Sequence, residues 1–220
     1  MQYEWNFEAA WASMPYLLGG LKLTIAITVT AMAGAVIIGA LLCAARAGRS
    51  RLLSGLASAY IDLFRTTPLL VQILLIFYGL ALATGIALPA FVAGSLALAL
   101  NIGAFMAEIF RSGLRAVPPG QREAALSLGL TPFQVARRVV IPQALRHVIP
   151  PLGSTWVSTF KDSSLVSVIG VSELLFRAQV VSIETYRPVE VYTLLALLYF
   201  GLTYPQARFV DYLYERVRVK

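Results

Sequence analysis

Two long stretches without a charged residue are the feature that most restricts how this chain can fold. The first runs from Leu23 to Ala45 and the second from Thr66 to Ala107. About 20 consecutive apolar residues in an α-helix cross the hydrocarbon core of a bilayer. The first stretch therefore fits one crossing and the second is too long for one. With 58% apolar and only 13% charged residues, the chain is predicted to be an all-α membrane protein in one domain of residues 1–220.

Helix-breaking residues divide these stretches into five predicted spans. Gly85 and Pro89 interrupt the second stretch, and Pro188 suits the first turn of the last helix. The predicted spans cover about residues 16–45, 60–82, 89–111, 151–171 and 188–207. The fourth contains Lys161 and Asp162, although a charge at mid-bilayer costs about 2.5 to 3.5 kcal/mol on insertion scales. We expect these two side chains to pair with each other or to face the interior of the bundle.

Basic residues favour five spans over four. They occur in the segments after the first and third spans and in the tail, as Arg46, Arg49, Arg51, Arg111, Arg115, Arg122, Arg137, Arg138, Arg146, Arg208, Arg216, Arg218 and Lys220. The segment between spans two and three has no charge, whereas the N-terminus carries Glu4 and Glu8. Because Lys and Arg are retained in cytoplasmic loops, five spans with the N-terminus outside and the C-terminus in the cytoplasm place all basic segments on one side.

The basic segment at about 117–148 has the pattern of two short helices joined by a sharp turn. Gly129 is suited to a left-handed C-terminal cap. Thr131 and Gln134 form a capping-box pattern for the second helix, which we expect Pro142 to stop. Periodicity predicts one face of that helix with Phe133, Ala136 and Val140, and Arg137 and Arg138 turned away from it. A loop that simply packs on its own bundle is one interpretation of this segment, and a docking surface for a partner is the other.

A longer pattern in the same segment favours the docking surface. Glu123-Ala124-Ala125 is followed by three residues, Gly129, nine residues, an aliphatic residue, any residue, an aliphatic residue and Pro142. This pattern resembles the signature loop of the membrane subunits of ABC importers. Four further segments resemble permeases for polar amino acids, namely residues 60–72, 101–111, 117–121 and 161–166. The resemblance covers about residues 16–181, and the end of the last helix is less typical of the family.

The resemblance implies a type I ABC importer permease fold, in which this loop is a coupling helix held in a groove of a cytoplasmic ATPase. Glu123 would be the polar anchor, and small residues would permit close backbone approach. The expected docking set is Glu123, Ala124, Ala125, Leu128, Gly129 and Pro142.

The implied partners are ABC ATP-binding subunits, a second permease in a homodimer or heterodimer, and an extracytoplasmic solute-binding protein, all at a bacterial inner membrane. The chain has no Gly-rich phosphate loop followed by Lys and Ser or Thr. We therefore expect no cofactor on this chain, and ATP and Mg on the partner ATPase.

Three polar residues inside or near the spans are candidates for a translocation pathway: Asn101, Glu108 and Asp62. A structural role is the alternative for each of them. Glu108 and Asp62, the latter near Arg65, would then be interfacial charges or members of an ion pair between helices, and Asn101 would join two helices by hydrogen bonds.

Charged residues recur between the last two spans, at Arg177, Glu184, Arg187 and Glu190. A solvated external surface is one interpretation of them, and contact with a substrate-delivering protein is the other.

Together these patterns predict the permease subunit of an ATP-driven importer of polar amino acids, which is not itself an enzyme. A gradient-driven secondary transporter or channel is the main alternative, disfavoured by the short length and the absence of an inverted repeat. A membrane-embedded enzyme would need a catalytic Ser arrangement, paired His residues or metal-ligand spacing, and the sequence has none of them.

Overall fold

The regular elements of the chain are helical, as predicted. The computed structural model describes residues 4–48 and 50–217, so the basic residues Arg49, Arg218 and Lys220 lie outside the described residues. The helices are α1 (Glu8–Ala12), α2 (Met14–Leu18), α3 (Leu21–Ala47), α4 (Arg51–Thr66), α5 (Leu69–Leu74), α6 (Leu80–Thr84), α7 (Ala90–Arg115), α8 (Pro119–Ser127), α9 (Pro132–Val135), α10 (Ile141–Asp162), α11 (Leu174–Thr185) and α12 (Pro188–Val217). Two π turns, Leu75–Gly79 and Ala136–Val140, join α5 to α6 and α9 to α10, and a 3₁₀ helix, Ser163–Ile169, follows α10.

Two continuous helical segments are long and apolar enough to cross a membrane, Met14–Ala47 and Ala90–Arg115. Two bent pairs also qualify if each pair is one span: Arg51–Thr66 with Leu69–Thr84, bent by 108°, and Pro132–Ile169 with Leu174–Thr185, bent by 52°. By length and composition the described residues therefore hold two to four candidate spans. The fifth predicted span falls in α12, whose 30 residues extend about 45 Å but which is not among these candidates by composition.

The second predicted span is wrong as a continuous helix. Helix α4 ends at Thr66, and Thr67 is extended, with φ −95° and ψ 143°. A proline disfavours the helical conformation of the residue before it, and Pro68 follows directly. Tyr60 therefore lies in α4, which meets the α5–α6 segment at a sharp elbow rather than continuing into it.

The predicted stop at Pro142 and the predicted start of span four at Pro151 are also wrong. Pro142 is the second residue of α10, which runs on through Pro150 and Pro151 to Asp162. Proline removes one helical hydrogen bond and crowds the carbonyl four residues earlier, here that of Arg138. The wider π turn Ala136–Val140 lies at that carbonyl and accommodates the ring. The chain is thus helical without a break from Pro132 to Ile169, which joins the loop directly to the rest of the fourth candidate span.

Helices α3 and α7 form the centre of the molecule. Their contact is lined by small buried residues, including Ala35 of α3 and Ala97 of α7. A Cβ atom built on Gly39 would lie only 2.4 Å from Cβ of Met106, so the two backbones approach closely there. Ile73 and the 3₁₀-helix residue Val166 complete this core and attach the neighbouring elements to it.

Candidate coupling loop and polar elbow

The loop between α7 and α10 has a capped turn whose local chemistry follows the sequence pattern. Gly129 has φ +80°, the left-handed conformation predicted for it. Its N–H donates to the carbonyl of Leu126 at 2.9 Å. The predicted capping box is present: Thr131 N–H donates to Oε1 of Gln134 at 2.9 Å, and Gln134 N–H donates to Oγ1 of Thr131 at 3.3 Å.

The expected docking residues do not all share one surface. Glu123, Ala124, Gly129 and Pro142 are exposed, and Leu128 is 83% exposed. Ala125, in contrast, is only 5% exposed, so it packs within this chain.

The predicted apolar face of the second short helix is not uniform in its burial. Phe133 is 72% exposed, whereas Ala136 and Val140, predicted on the same face, are partly buried and Val135 is buried. Because α9 has only four residues before the π turn, a regular 3.6-residue period does not describe its faces. We define the exposed loop face as Glu123, Ala124, Leu128 and Phe133. It combines a carboxylate with two large apolar side chains that project away from the protein.

Asn101 lies at the elbow between α4 and α5. Its Nδ2 donates to the backbone carbonyl of Phe64 at 2.9 Å and to Oε1 of Gln72 at 3.0 Å. Gln72 in turn donates from Nε2 to Oγ1 of Thr67 at 2.6 Å and to the Phe64 carbonyl at 3.0 Å. Both amide side chains are 7% exposed.

These hydrogen bonds provide donors for a backbone carbonyl at the C-terminal end of α4. The last four carbonyls of a helix have no partner inside it, and that of Phe64 is one of them in α4. Asn101 and Gln72 supply the missing donors and tie the elbow to α7. The hydrogen bonds therefore favour the structural interpretation of Asn101. Sequence analysis did not single out Gln72, although an amide five residues after Thr67 in an apolar run was a usable signal.

Glu108 joins two helices as well. One carboxylate oxygen accepts from Arg46 of α3, and the other lies 2.5 Å from Nη2 of Arg111. This double ion pair at the arginine-bearing ends of α3 and α7 favours the interhelical interpretation of Glu108. Asp62 is exposed and forms no ion pair within residues 4–48 and 50–217. The three pathway candidates are therefore not brought together in one site by this chain.

The expected pairing of Lys161 with Asp162 is wrong. No ion pair joins them in the described part of the chain, where Lys161 is exposed and Asp162 half-buried. Successive residues of a helix point in different directions and do not face each other.

Two acidic residues at the starts of α11 and α12, Glu173 and Glu190, are buried and therefore do not belong to a solvated surface. Glu190 is fully buried and accepts a hydrogen bond from the backbone N–H of Asn6 at 3.1 Å. Glu173, also fully buried, accepts from the N–H groups of Phe176 and Leu175 at 2.7 and 2.9 Å and so caps α11. The prediction of a solvated surface is wrong for Glu190, which fastens the N-terminal segment to α12.

The chain is similar to known proteins along most of its length. The profile of the family described as binding-protein-dependent transport system inner membrane component matches residues 35–219. The chain is similar to the glutamine transport system permease protein GlnP of Escherichia coli strain K12, at 36% identity over 204 residues and 92% of each chain. It is also similar to the probable amino-acid permease protein YxeN of Bacillus subtilis strain 168, at 35% identity over 219 residues, 99% of this chain and 96% of that protein.

Solved structures match over nearly the full length. The crystal structure of an amino acid ABC transporter with histidines has a TM-score of 0.92 and 38% identity, and the match covers 97% of this chain and 100% of that chain. An inward-facing structure of the MetNI methionine ABC transporter has a TM-score of 0.77 and 22% identity, covering 94% of this chain and 99% of that one. The second match shows a common fold.

Proposed function

The chain belongs to the family of binding-protein-dependent transport system inner membrane components, and we propose that it is the permease subunit of an ATP-driven importer of polar amino acids, glutamine among them. The observation that carries the coupling part of this proposal is the exposed loop face, held on a capped turn. The relatives named as glutamine and amino-acid permeases support the class of cargo.

The exposed loop face has the chemistry of a protein contact. The Glu123 carboxylate accepts charge-assisted hydrogen bonds from a cationic or N–H group of an ATPase. Leu128 and Phe133 are the apolar side chains that a groove on the same partner would bury. The nucleotide and Mg belong to that partner, and the permease itself moves the cargo without catalysing a reaction.

The helix that follows the loop provides the mechanical link. From Pro132 to Ile169 the chain is helical throughout, as α9, a π turn, α10 and the 3₁₀ helix. A displacement of the exposed loop face is therefore carried along α10 into the bundle instead of being absorbed by a flexible hinge. Rocking of this kind would alternate the access of the pathway between the two sides of the membrane.

Five spans complete the proposed topology: α2–α3, α5–α6, α7, α10 with the bent α11, and α12. The ion pairs of Glu108 support one part of it, since they join the C-terminal ends of α3 and α7. The contact of Glu190 with Asn6 supports another part, since it places the start of α12 beside the N-terminal segment. Lys and Arg retention then puts the N-terminus outside and the loop and the C-terminus in the cytoplasm of a bacterial cell. A second permease copy or relative and an extracytoplasmic solute-binding protein complete the complex.

Two substitutions test the coupling role in vesicles containing the permease, its ATPase and its binding protein. Glu123→Ala removes the anchor, and Gly129→Val forces a β-branched residue into a left-handed conformation. Each is expected to reduce amino-acid uptake relative to ATP hydrolysis without preventing membrane insertion.

Each variant has a matched control outside the loop. Glu215→Ala removes another exposed carboxylate, near the end of α12. Gly85→Val imposes the same kind of backbone strain at φ +73° in the segment between α6 and α7. If the loop variants retain the uptake-to-hydrolysis ratio of their controls, the loop does not couple the two activities. Uptake driven by an ion gradient without ATP would instead identify a secondary transporter.

A further inference from the structure

An apolar groove opens on the outer surface where α3, α7 and α10 meet. It encloses about 330 Å³, and its walls include Ala40 and Ala44 of α3, Phe110 of α7, and Leu145 of α10. Every residue that lines it is apolar or a thiol. Between Ala40 and Ala47 the groove follows α3 for about 10 Å along the helix axis, from the arginine-bearing end of the helix toward its middle.

A second, polar pocket continues the groove at that end. Its volume is about 230 Å³, and it is lined by Cys43, Arg46, Ala47, Arg111, Leu114 and Arg115. Three of these residues, Cys43, Ala47 and Leu114, line both spaces, so the apolar groove and the arginine pocket are contiguous. The result is an elongated site with one apolar end and one cationic end.

The cationic end retains an excess of positive charge. Arg46 and Arg111 share the single carboxylate of Glu108, whereas Arg115 forms no ion pair within the described residues. Three arginines line the pocket and one carboxylate pairs with two of them, which leaves two positive charges. Arg115 is also exposed, so its guanidinium is free to meet an anion at the membrane surface.

We propose that this joint site holds one anionic phospholipid, with its phosphate at Arg115 and Arg46 and an acyl chain in the groove beneath. Basic pockets between transmembrane helices attract anionic head groups of the cytoplasmic leaflet, while the apolar groove accepts only hydrocarbon. Free phosphate would leave the apolar end unfilled. A second copy docked here by two-fold symmetry would place its own three arginines against these, and like charges oppose that contact.

Because Glu108 binds both Arg46 and Arg111, a lipid phosphate at this position is linked to the ion pairs that join α3 to α7. The bound lipid therefore adds a counter-ion to the contact between the two helices. Lipid binding at this site requires that the chain lies in a membrane, but it does not depend on which cargo is carried. It can therefore be tested without measuring uptake.

Native mass spectrometry of the delipidated, detergent-purified full chain measures this binding directly. Dioleoyl phosphatidylglycerol is titrated against dioleoyl phosphatidylcholine, and one phosphatidylglycerol per copy is expected to bind more tightly. Arg115→Gln is expected to weaken phosphatidylglycerol binding about fivefold, the effect of one basic residue at an anionic surface. Ala44→Trp, which fills the groove from an exposed position, is expected to weaken the binding of the same lipid. Arg208→Gln, on the exposed surface of α12, is the matched control and is expected to have no effect.

Several results would overturn the proposal. Equal affinity for the two lipids would show that the arginines do not select the head group. Equal behaviour of Arg115→Gln and Arg208→Gln would place the lipid elsewhere, as would unchanged binding in Ala44→Trp. Displacement of the lipid by inorganic phosphate at the same concentration would identify a simple anion site. A disulfide between copies of a Leu145→Cys variant, made in a Cys43→Ala background, would identify a second copy as the occupant.

Discussion

The hydrogen-bonded elbow offers the sharpest test of how the fold is held. Asn101→Leu removes both donors of the Asn101 amide. The Phe64 carbonyl keeps a bond from Gln72 Nε2 at 3.0 Å, but Oε1 of Gln72 loses its donor inside a buried site. An unsatisfied buried acceptor costs about 1 to 3 kcal/mol in soluble proteins, whereas polar pairs between membrane helices average about 0.6 kcal/mol. We expect a loss of about 1 to 2 kcal/mol of stability, which corresponds to about 2 to 8 °C in the melting midpoint for a chain of this size.

The single cysteine makes this loss measurable. Cys43 is the only cysteine in the sequence and is buried in the folded state. A thiol-reactive dye therefore reports unfolding without an added label. Gln72→Leu and the double variant with Asn101→Leu complete a double-mutant cycle, in which the double variant is expected to lose less than the sum of the single losses. Strictly additive losses would show that the two amides do not act as one cluster.

The opposite pattern would restore the pathway interpretation of Asn101. If Asn101→Leu melts like the wild type but loses amino-acid uptake, the amide acts on the cargo and not on the elbow. The Thr193→Val variant provides a control, because that hydroxyl donates only to the carbonyl of Val189 in its own helix. Its melting midpoint is expected to stay within about 1 °C of the wild type.

Three further predictions use the same melting assay or hydrogen exchange. Gly39→Ala is expected to lower the free energy of unfolding by about 1 to 3 kcal/mol, because its Cβ would overlap the side chain of Met106. Its control is Gly55→Ala, which has no neighbour within 4 Å and is expected to raise the free energy of unfolding by about 0.5 to 1 kcal/mol. Equal melting midpoints for the two variants would refute the close packing of α3 and α7. Glu108→Gln leaves two arginines without their shared carboxylate. The free energy of unfolding is expected to fall by about 1 to 3 kcal/mol, a value between those of exposed and buried ion pairs. An unchanged melting midpoint would show that these ion pairs do not stabilise the protein. Thr131→Val removes the capping box and is expected to destabilise the helix by about 1 kcal/mol. The expected result is faster amide hydrogen exchange in α9. Unchanged exchange would show that the cap does not stabilise the turn.

Features that depend on a few neighbouring residues were predictable from the sequence. The left-handed backbone of Gly129 and the capping box at Thr131 are both present, because each is set by local sterics or by a hydrogen bond across one helical turn. The end of α6 at Gly85, which has φ +73°, and the start of α12 at Pro188 follow for the same reason. The family was recognisable from residues 123–142 because that pattern combines residue type with fixed spacing.

Features that depend on contacts between distant residues were not predictable in this way. Pro142 was expected to end a helix, yet α10 continues past it, packed through Val148 against Gly113 of α7, where an added Cβ would lie 2.3 Å from a Val148 methyl group. Burial of that helix face outweighs the loss of one backbone hydrogen bond at the proline, which a local rule cannot weigh.

Local features followed from the sequence and the partners of the polar residues followed from the tertiary structure, and the reason for this difference is physical. The sequence by itself predicted membrane-spanning helices and a capped loop, since hydropathy and capping act over one span or one turn, and its motifs indicated the permease family. Tertiary structure alone decided the roles of the polar residues. Asn101 meets Gln72 because α7 packs on the elbow, and Glu108 meets Arg46 because α3 and α7 approach closely along their small residues. A polar side chain takes its role from the partner that folding places beside it, and that partner lies 29 residues away for Asn101 and 62 residues away for Glu108.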